Sequence, residues 1–109
     1  MTENEYRKIP EAVRVSMFLY VEERRPIGSF LTAVLSNNLK DAVAQGYGDP
    51  AFDAVAQIVR WFHNYASSYC WGNREKVDVW LDGKDYPRCG DLDRGISLLE
   101  LPEAVTRGA

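Results

Sequence analysis

Hydrophobic residues along the first three quarters of the chain recur every three or four positions in three stretches, which is the spacing of amphipathic α-helices. In the first stretch, Pro10 followed by Glu11 is typical of a helix start, and one apolar face continues as far as Glu23. Residues 22–26 then form a charged connection that Pro26 closes. The pattern therefore predicts a first helix that packs through one side.

The second stretch carries a wide apolar stripe from Leu31 to Val43, which predicts one continuous helix over residues 30–44. Two asparagines, Asn37 and Asn38, stand in its middle although Asn is a poor residue for a helix interior. They are interpreted either as part of a solvated polar face or as a pair of amides that line a cleft or a subunit contact.

The third stretch has a strong helix start, because Asp49 can cap the first turn and Pro50 suits the first helical position. The apolar face of this helix is made of Phe52, Val55, Val59 and Phe62. Trp61 lies one position off that face and is expected to cover a flank or to meet another chain. The residues expected to be mostly buried are Val34, Leu35, Val55, Val59 and Phe62.

A shorter helix and an irregular tail complete the predicted fold. Asn73 can cap a short helix that ends near residue 82. Farther on, glycines and prolines interrupt every pattern, although residues 96–101 could form a strand or a helical turn that docks on the core. We expect an all-α fold, a compact bundle of three longer helices and one short helix. Residues 1–83 form the helical domain, and residues 84–109 form an irregular C-terminal tail that could dock on the core.

Length and composition place the chain among single globular domains. It has 109 residues, 46% of them hydrophobic and 12% aromatic, which is enough to build one modest core. The net charge of −3 argues against direct nucleic-acid binding, which usually needs a basic surface. No apolar run approaches the roughly 20 residues that span a bilayer, and residues 1–5 do not resemble a signal peptide. We expect a cytoplasmic protein with no membrane partner.

Residues of the types that catalyse reactions or bind metals are few. The two cysteines, Cys70 and Cys89, and the single histidine, His63, are too few for a recognisable zinc site or a disulfide scaffold. Cys70 and His63 could form a nucleophile–base pair, but no third residue that would orient the base stands out. These residues are interpreted as structural, and neither an enzymatic activity nor a cofactor is expected.

The chemistry that stands out is repeated at two predicted helix starts. At each, a glycine and a polar cap lie beside cationic residues, and a helix start favours anions because its N–H groups are unpaired. The residues of the candidate ligand site are Arg24, Arg25, Gly28 and Ser29 at the first start, and Trp71, Asn73, Arg74 and Lys76 at the second. Ser29 is expected to be the N-cap at the first start, and Trp71 could stack on a planar base. The alternative is structural, since caps and arginines occur at most helix starts and Trp71 could seal the core.

Four segments, spread over about residues 9–81, form a pattern that extends beyond any one helix. They are Ile9-Pro10, Tyr20-Val21-Glu22, Pro26-x-Gly28-x-Phe30-Leu31-x-Ala33-Val34-Leu35-x-Asn37-x-Leu39 and Cys70-Trp71-Gly72-x-x-Glu75-Lys76-Val77-x-x-Trp80. Together they resemble a group of small accessory proteins of tailed bacteriophages, most of them uncharacterised. That group often has Ser-Pro where this chain has Asn73-Arg74, and the added cation could alter what is bound. Phage accessory proteins of this size are commonly host-takeover or counter-defence factors, which usually act by binding.

The resemblance and the two helix starts together lead to a functional expectation. We expect a phage counter-defence protein, in the host-cell cytoplasm, that sequesters a phosphorylated, nucleotide-derived small-molecule signal. Two alternatives stay open: a protein-binding inhibitor of a host defence complex, or a structural, self-assembling phage protein. For protein binding, the expected anchors are Tyr47, Trp61 and Tyr65. Aromatic residues in excess of what so small a core needs also predict a homo-oligomer.

Overall fold

The structure is a computed structural model that describes residues 5–46, 50–83, 86 and 90–103. Within these residues every regular element is helical, and the chain forms a globule of 34 × 34 × 27 Å. The α-helices are α1 (Glu11–Glu23), α2 (Ser29–Leu35), α3 (Leu39–Gly46), α4 (Val55–Tyr65), α5 (Arg74–Leu81) and α6 (Leu92–Leu98), with 3-10 turns at Glu5–Lys8 and Pro50–Ala54. None of the described helices has the length and apolar character needed to cross a membrane. The all-α class is confirmed, whereas the expected count of three longer helices and one short helix is not.

The stretch predicted as one helix over residues 30–44 is divided into α2 and α3. Asn37 adopts a left-handed backbone with a φ of 58°, and the N–H of Asn38 donates to the carbonyl of Ala33 at 2.9 Å. The side-chain oxygen of Asn38 then accepts the N–H of Asp41 at 3.1 Å, which caps α3. The prediction of a continuous helix was wrong, because Asn tolerates the left-handed region and favours helix caps.

Helix α4 centres its buried side on residues beside the predicted stripe. Ile58 and Trp61 are fully buried, whereas Val55 and Val59 are partly buried at the margin of the core. Burial of Phe62 is confirmed. Trp61, expected on a flank or against another chain, belongs instead to the interior, because α6 packs against α4 and covers this ring.

Helix α6 lies within residues 84–109, which were predicted to be an irregular tail, so that prediction was wrong for Leu92–Leu98. It lies against α4, and Leu99, just after its last residue, is fully buried. The guanidinium of Arg14 donates to the carbonyl of Ile9 at 2.9 Å and to that of Leu99 at 2.5 Å, so it ties the end of α6 to the start of α1. Of the two forms open for residues 96–101, the helical one is present as far as Leu98.

The centre of the core is aromatic. Tyr20 is fully buried, and its hydroxyl donates to the carbonyl of Cys70 at 2.6 Å. The backbone carbonyl of Tyr20 in turn accepts the indole N–H of Trp80 at 2.8 Å. Val34 and Leu35 of α2 are buried as predicted.

Three residues of the sequence predictions lie outside the described part of the chain: Tyr47, Asp49 and Cys89.

Candidate functional site

At the first predicted helix start, Arg24 is held against the core. It ends α1 in a left-handed conformation with a φ of 56°, and its guanidinium lies 3.5 Å from the centroid of the Trp80 ring. The same guanidinium donates to the backbone carbonyl of Trp80 at 3.0 Å. Arg25 is exposed and pairs with Glu23 at 3.0 Å. Arg24 is thus a packing residue, and the two arginines interact with different partners.

The cap at this first start differs from the predicted one. Gly28, in an extended conformation, is the N-cap of α2, and Ser29 is the first helical residue. The hydroxyl of Ser29 donates to the side-chain oxygen of Gln45 on α3 at 3.2 Å. The assignment of Ser29 as N-cap was wrong, because its hydroxyl bonds to the neighbouring helix instead of to its own first turn.

The second predicted helix start is present. Asn73 is the N-cap of α5, and its side-chain oxygen accepts the N–H of Lys76 at 2.8 Å. Gly72 precedes the cap with a φ of 121°, a region that residues with a side chain rarely adopt. The N–H of Gly72 donates to the carbonyl of Leu35 at 2.7 Å, so the loop before α5 is anchored to the end of α2.

Tyr69, rather than Trp71, is the exposed aromatic ring of this loop. Trp71 is partly buried with its ring centroid 6.0 Å from that of Phe62, which favours the structural interpretation of Trp71. Tyr69 is 48% exposed, and its ring stacks on Tyr86 with 4.3 Å between centroids and 3° between planes. Tyr86 is in turn nearly parallel to Trp80, with 6.3 Å between centroids. The exposed aromatic surface beside α5 is therefore a stacked pair of tyrosines.

A recess of about 270 Å³ lies beside this pair and is called the tyrosine recess. It is lined by Tyr69, Asn73, Glu75, Lys76, Val79 and Tyr86. Lys76 forms no ion pair within the described part of the chain, whereas Arg74 pairs with Asp78 at 3.0 Å. The recess combines an exposed aromatic face, the Lys76 ammonium and the Glu75 carboxylate at the start of α5. This arrangement can hold a planar ring that carries an anionic substituent.

A second recess, called the polar cleft, opens between α2 and α3 and has a volume of about 450 Å³. It is lined by Ile27, Ser29, Thr32, Ala33, Ser36, Asn38, Asp41, Gln45 and Arg74. Ser29 and Arg74, which belong to the two different predicted helix starts, both line this cleft. Asn38 lines this cleft, and both Asn37 and Asn38 are exposed, so the two interpretations of the asparagine pair stay open.

The predicted site residues are divided between the two recesses. Asn73 and Lys76 line the tyrosine recess, Ser29 and Arg74 line the polar cleft, and Arg24, Arg25, Gly28 and Trp71 line neither. Tyr86 was missed from the sequence, because no local pattern links it to Tyr69 across 17 positions of chain. The polar residues at 29, 32 and 36 and at 38, 41 and 45 did carry a signal, since each set has the spacing of one helix face.

The histidine and the described cysteine lie in different surroundings. Cys70 is buried and its thiol donates to the carbonyl of Ser67 at 3.1 Å, while His63 is exposed. A buried thiol in a core is inert compared with an exposed one in a cationic setting. Among the residues that the structure describes, no group of three or more His, Cys, Asp or Glu side chains could hold a metal ion.

Comparison of the chain with protein-family models, with curated proteins and with solved structures finds no match. The assignment of a function therefore depends on the geometry of the two recesses.

Proposed function

We propose that the protein binds a phosphorylated, nucleotide-like small molecule in the tyrosine recess. The observation that carries this proposal is the stack of Tyr69 on Tyr86, which leaves Tyr69 48% exposed in the same recess as Lys76. Stacking on Tyr86 holds the Tyr69 ring in one orientation, so that binding a planar base costs little side-chain ordering. A base stacked on an aromatic side chain contributes about 1–3 kcal/mol to the free energy of binding.

The phosphate of this ligand is assigned to the ammonium of Lys76 at the start of α5. A cationic side chain and the N–H groups of the first helical turn both favour an anion. Glu75 lines the same recess and disfavours several negative charges, so we propose a monophosphate or a phosphodiester rather than a triphosphate. The Glu75 carboxylate accepts a hydrogen bond from an amino group of the base or a ribose hydroxyl.

The biological role that we propose is sequestration without chemical conversion. The resemblance to accessory proteins of tailed phages supports a counter-defence protein in the host cytoplasm, which lowers the free concentration of a nucleotide-derived immune signal. Such a protein needs affinity and abundance but no catalytic residues, so we propose that it is not an enzyme.

Calorimetric titration of the full chain with AMP, GMP, their cyclic monophosphate forms and inorganic phosphate tests this function. At least one nucleotide should bind, and more weakly as salt rises, because an exposed phosphate contact is screened. Tyr69→Ala should weaken binding by about 5- to 150-fold, the equivalent of one stacked base.

Two lysine variants separate the phosphate contact from general charge effects. Lys76→Gln should weaken nucleotide binding and remove most of its salt dependence. Lys8→Gln changes an exposed lysine outside the recess and should bind like the parent protein. No heat from any nucleotide, or a Tyr69→Ala protein that binds as tightly as the parent, would contradict the proposal.

A second candidate function is binding to a protein, and it is favoured by an exposed apolar patch on α3. Leu39 is 75% exposed and Val43 is 41% exposed. Beside them lies a shallow groove of about 100 Å³ whose lining includes Leu39, Val55 and Val59. These residues, rather than the buried Trp61, are the apolar anchors that a host defence protein would contact.

A further inference from the structure

The polar cleft between α2 and α3 has hydrogen-bonding side chains on two walls. The first wall, along α2 and its C-cap, carries Ser29, Thr32 and Ser36, and the second wall, along α3 and its N-cap, carries Asn38, Asp41 and Gln45. In each set the spacing of three and four residues is that of one helix face. The walls are bridged where Ser29 donates to Gln45 at 3.2 Å, and Arg74 joins the lining from the start of α5.

Several polar atoms of these walls have no partner within the described part of the chain. The hydroxyl oxygen of Ser36 is shielded from solvent and makes no hydrogen bond, which is costly unless a further group supplies one. Asp41 uses one carboxylate oxygen to accept the side-chain amide of Asn38 at 2.8 Å and leaves the other oxygen open. Gln45 uses its side-chain oxygen for Ser29 and leaves its amide donors open. The cleft therefore offers both donors and acceptors to a ligand.

The charges and polar groups of the cleft favour a neutral ligand that carries many hydroxyl groups. Asp41 and Arg74 are the charged side chains of the lining, and the charge of Arg74 is already paired with Asp78, so the cleft has no excess positive charge. A multiply phosphorylated ligand would be repelled by Asp41, and a hydrocarbon would leave the hydroxyls and amides without partners. A sugar hydroxyl can donate to a carboxylate and accept from an amide or a guanidinium at the same time. A volume of about 450 Å³ lies within the range of small-molecule pockets.

We propose that the polar cleft is a second binding site, for a neutral polyhydroxylated ligand of the monosaccharide class. Asp41 accepts hydrogen bonds from hydroxyls of the ligand, and the amide of Gln45 and the guanidinium of Arg74 donate to them. The lining of this site shares no residue with that of the tyrosine recess, so it does not depend on nucleotide binding.

Amide chemical shifts of the isotope-labelled full chain, recorded during titration with glucose, ribose, myo-inositol and inorganic phosphate, test the proposal. At millimolar concentration at least one of the three polyols should shift the signals of Ser36, Asn38 and Gln45. The signal of Tyr69 should stay in place, because the tyrosine recess is separate. If the polyols bind here while no nucleotide binds in the calorimetric titration, the proposed nucleotide function is rejected and the proposal for the polar cleft is retained.

Three variants assign the binding to the cleft. Asp41→Ala and Gln45→Met should each weaken binding by about three- to tenfold, since the first removes an acceptor and the second removes a donor that the ligand uses. Asp53→Asn changes an exposed carboxylate outside the cleft and should bind like the parent. The proposal is overturned if none of the polyols shifts the cleft signals, or if only inorganic phosphate does, which would make Arg74 an anion site. Binding that is unchanged in both Asp41→Ala and Gln45→Met would overturn it as well.

Discussion

The indole N–H of Trp61 donates a hydrogen bond of 2.8 Å to the backbone carbonyl of Gly95. This bond joins α4 to α6 across 34 positions of sequence and satisfies the polar atom of a fully buried ring. Gly95 permits the close approach, because a Cβ at this position would overlap Tyr65 and lie 2.6 Å from its Cγ atom. The two helices therefore lie at a distance that a side chain at position 95 would prevent.

Replacing Gly95 with Ala should destabilise the fold by about 1–3 kcal/mol, because the added methyl group forces Tyr65 or α6 to move. Thermal unfolding followed by circular dichroism measures the change. Gly90→Ala is the matched control, since a Cβ at Gly90 meets nothing within 4 Å. If both variants melt at the temperature of the parent, α6 does not pack on α4 as described.

Two neighbouring substitutions distinguish the buried side of α4. Ile58→Asp should unfold the domain, because an unpaired charge at a fully buried position costs several kcal/mol against a total stability of about 5–15 kcal/mol. Val59→Asp should lower the free energy of unfolding by less, since position 59 is only partly buried and the introduced carboxylate can reach solvent. Urea denaturation compares the two. An equal or larger loss in Val59→Asp would show that the stripe through Val55 and Val59 is the buried centre after all.

Arg24 should contribute to stability rather than to ligand binding. Arg24→Ala removes a guanidinium that lies 3.5 Å from the Trp80 ring centroid and donates a hydrogen bond to the backbone carbonyl of Trp80. The free energy of unfolding should therefore fall by about 1–2 kcal/mol. Arg25→Ala removes an exposed ion pair with Glu23 and should change the free energy of unfolding by about 0.5 kcal/mol or less. Chemical denaturation measures both. An Arg24→Ala protein that is as stable as the parent but fails to bind nucleotides would show that Arg24 is a ligand-binding residue.

Tyr20 should make the stability of the fold sensitive to alkaline pH. Burial is the main cause that raises the pKa of Tyr20 above its ordinary value of 10.0. Above about pH 10 the unfolded chain loses this proton while the folded chain keeps it, so the free energy of unfolding falls as the pH rises. Below that pH the contribution of Tyr20 is fully present.

Urea denaturation over a series of alkaline pH values measures this effect, with Tyr20→Phe as the comparison. The variant is expected to be less stable at neutral pH, because it loses the bond of 2.6 Å to the carbonyl of Cys70. Its stability should nevertheless fall less steeply with pH than that of the parent. Identical slopes in the two proteins would assign the alkaline loss to other groups.

The exposed apolar residues of α3 should mediate self-association. The sequence predicts a homo-oligomer from surplus aromatic residues, but Trp61 is buried. The exposed apolar residues of α3 are instead Leu39, at 75%, and Val43, at 41%. Sedimentation velocity at micromolar concentration should therefore show more than one subunit. Leu39→Lys should shift the protein to the monomer without lowering its melting temperature, because so exposed a side chain adds little to the core. If the parent is monomeric at every concentration tested, both the predicted homo-oligomer and the alternative function as a self-assembling phage protein are ruled out.

Features that depend on a few neighbouring residues could be predicted from the sequence. The helical repeat of apolar side chains predicted the all-α class, and a local pattern of polar residues identified Asn73 as the cap of α5. The burial of Leu35 and Phe62 followed from the same repeat. These features are local, because a helical turn and its cap involve residues within about four positions of one another.

Features that depend on contacts between distant segments were decided by the tertiary structure. Trp61 is buried because α6, which contains Gly95 34 positions farther along the chain, packs against it. Arg24 lies against the core because its guanidinium contacts the ring of Trp80. The stack of Tyr69 on Tyr86, on which the proposed nucleotide site depends, has the same origin. The helical repeat places a side chain on one face of its helix but does not determine which segment covers that face. The free energy of packing depends on which segment lies against that face. Only the tertiary structure therefore determines which side chains are buried and where the recesses lie.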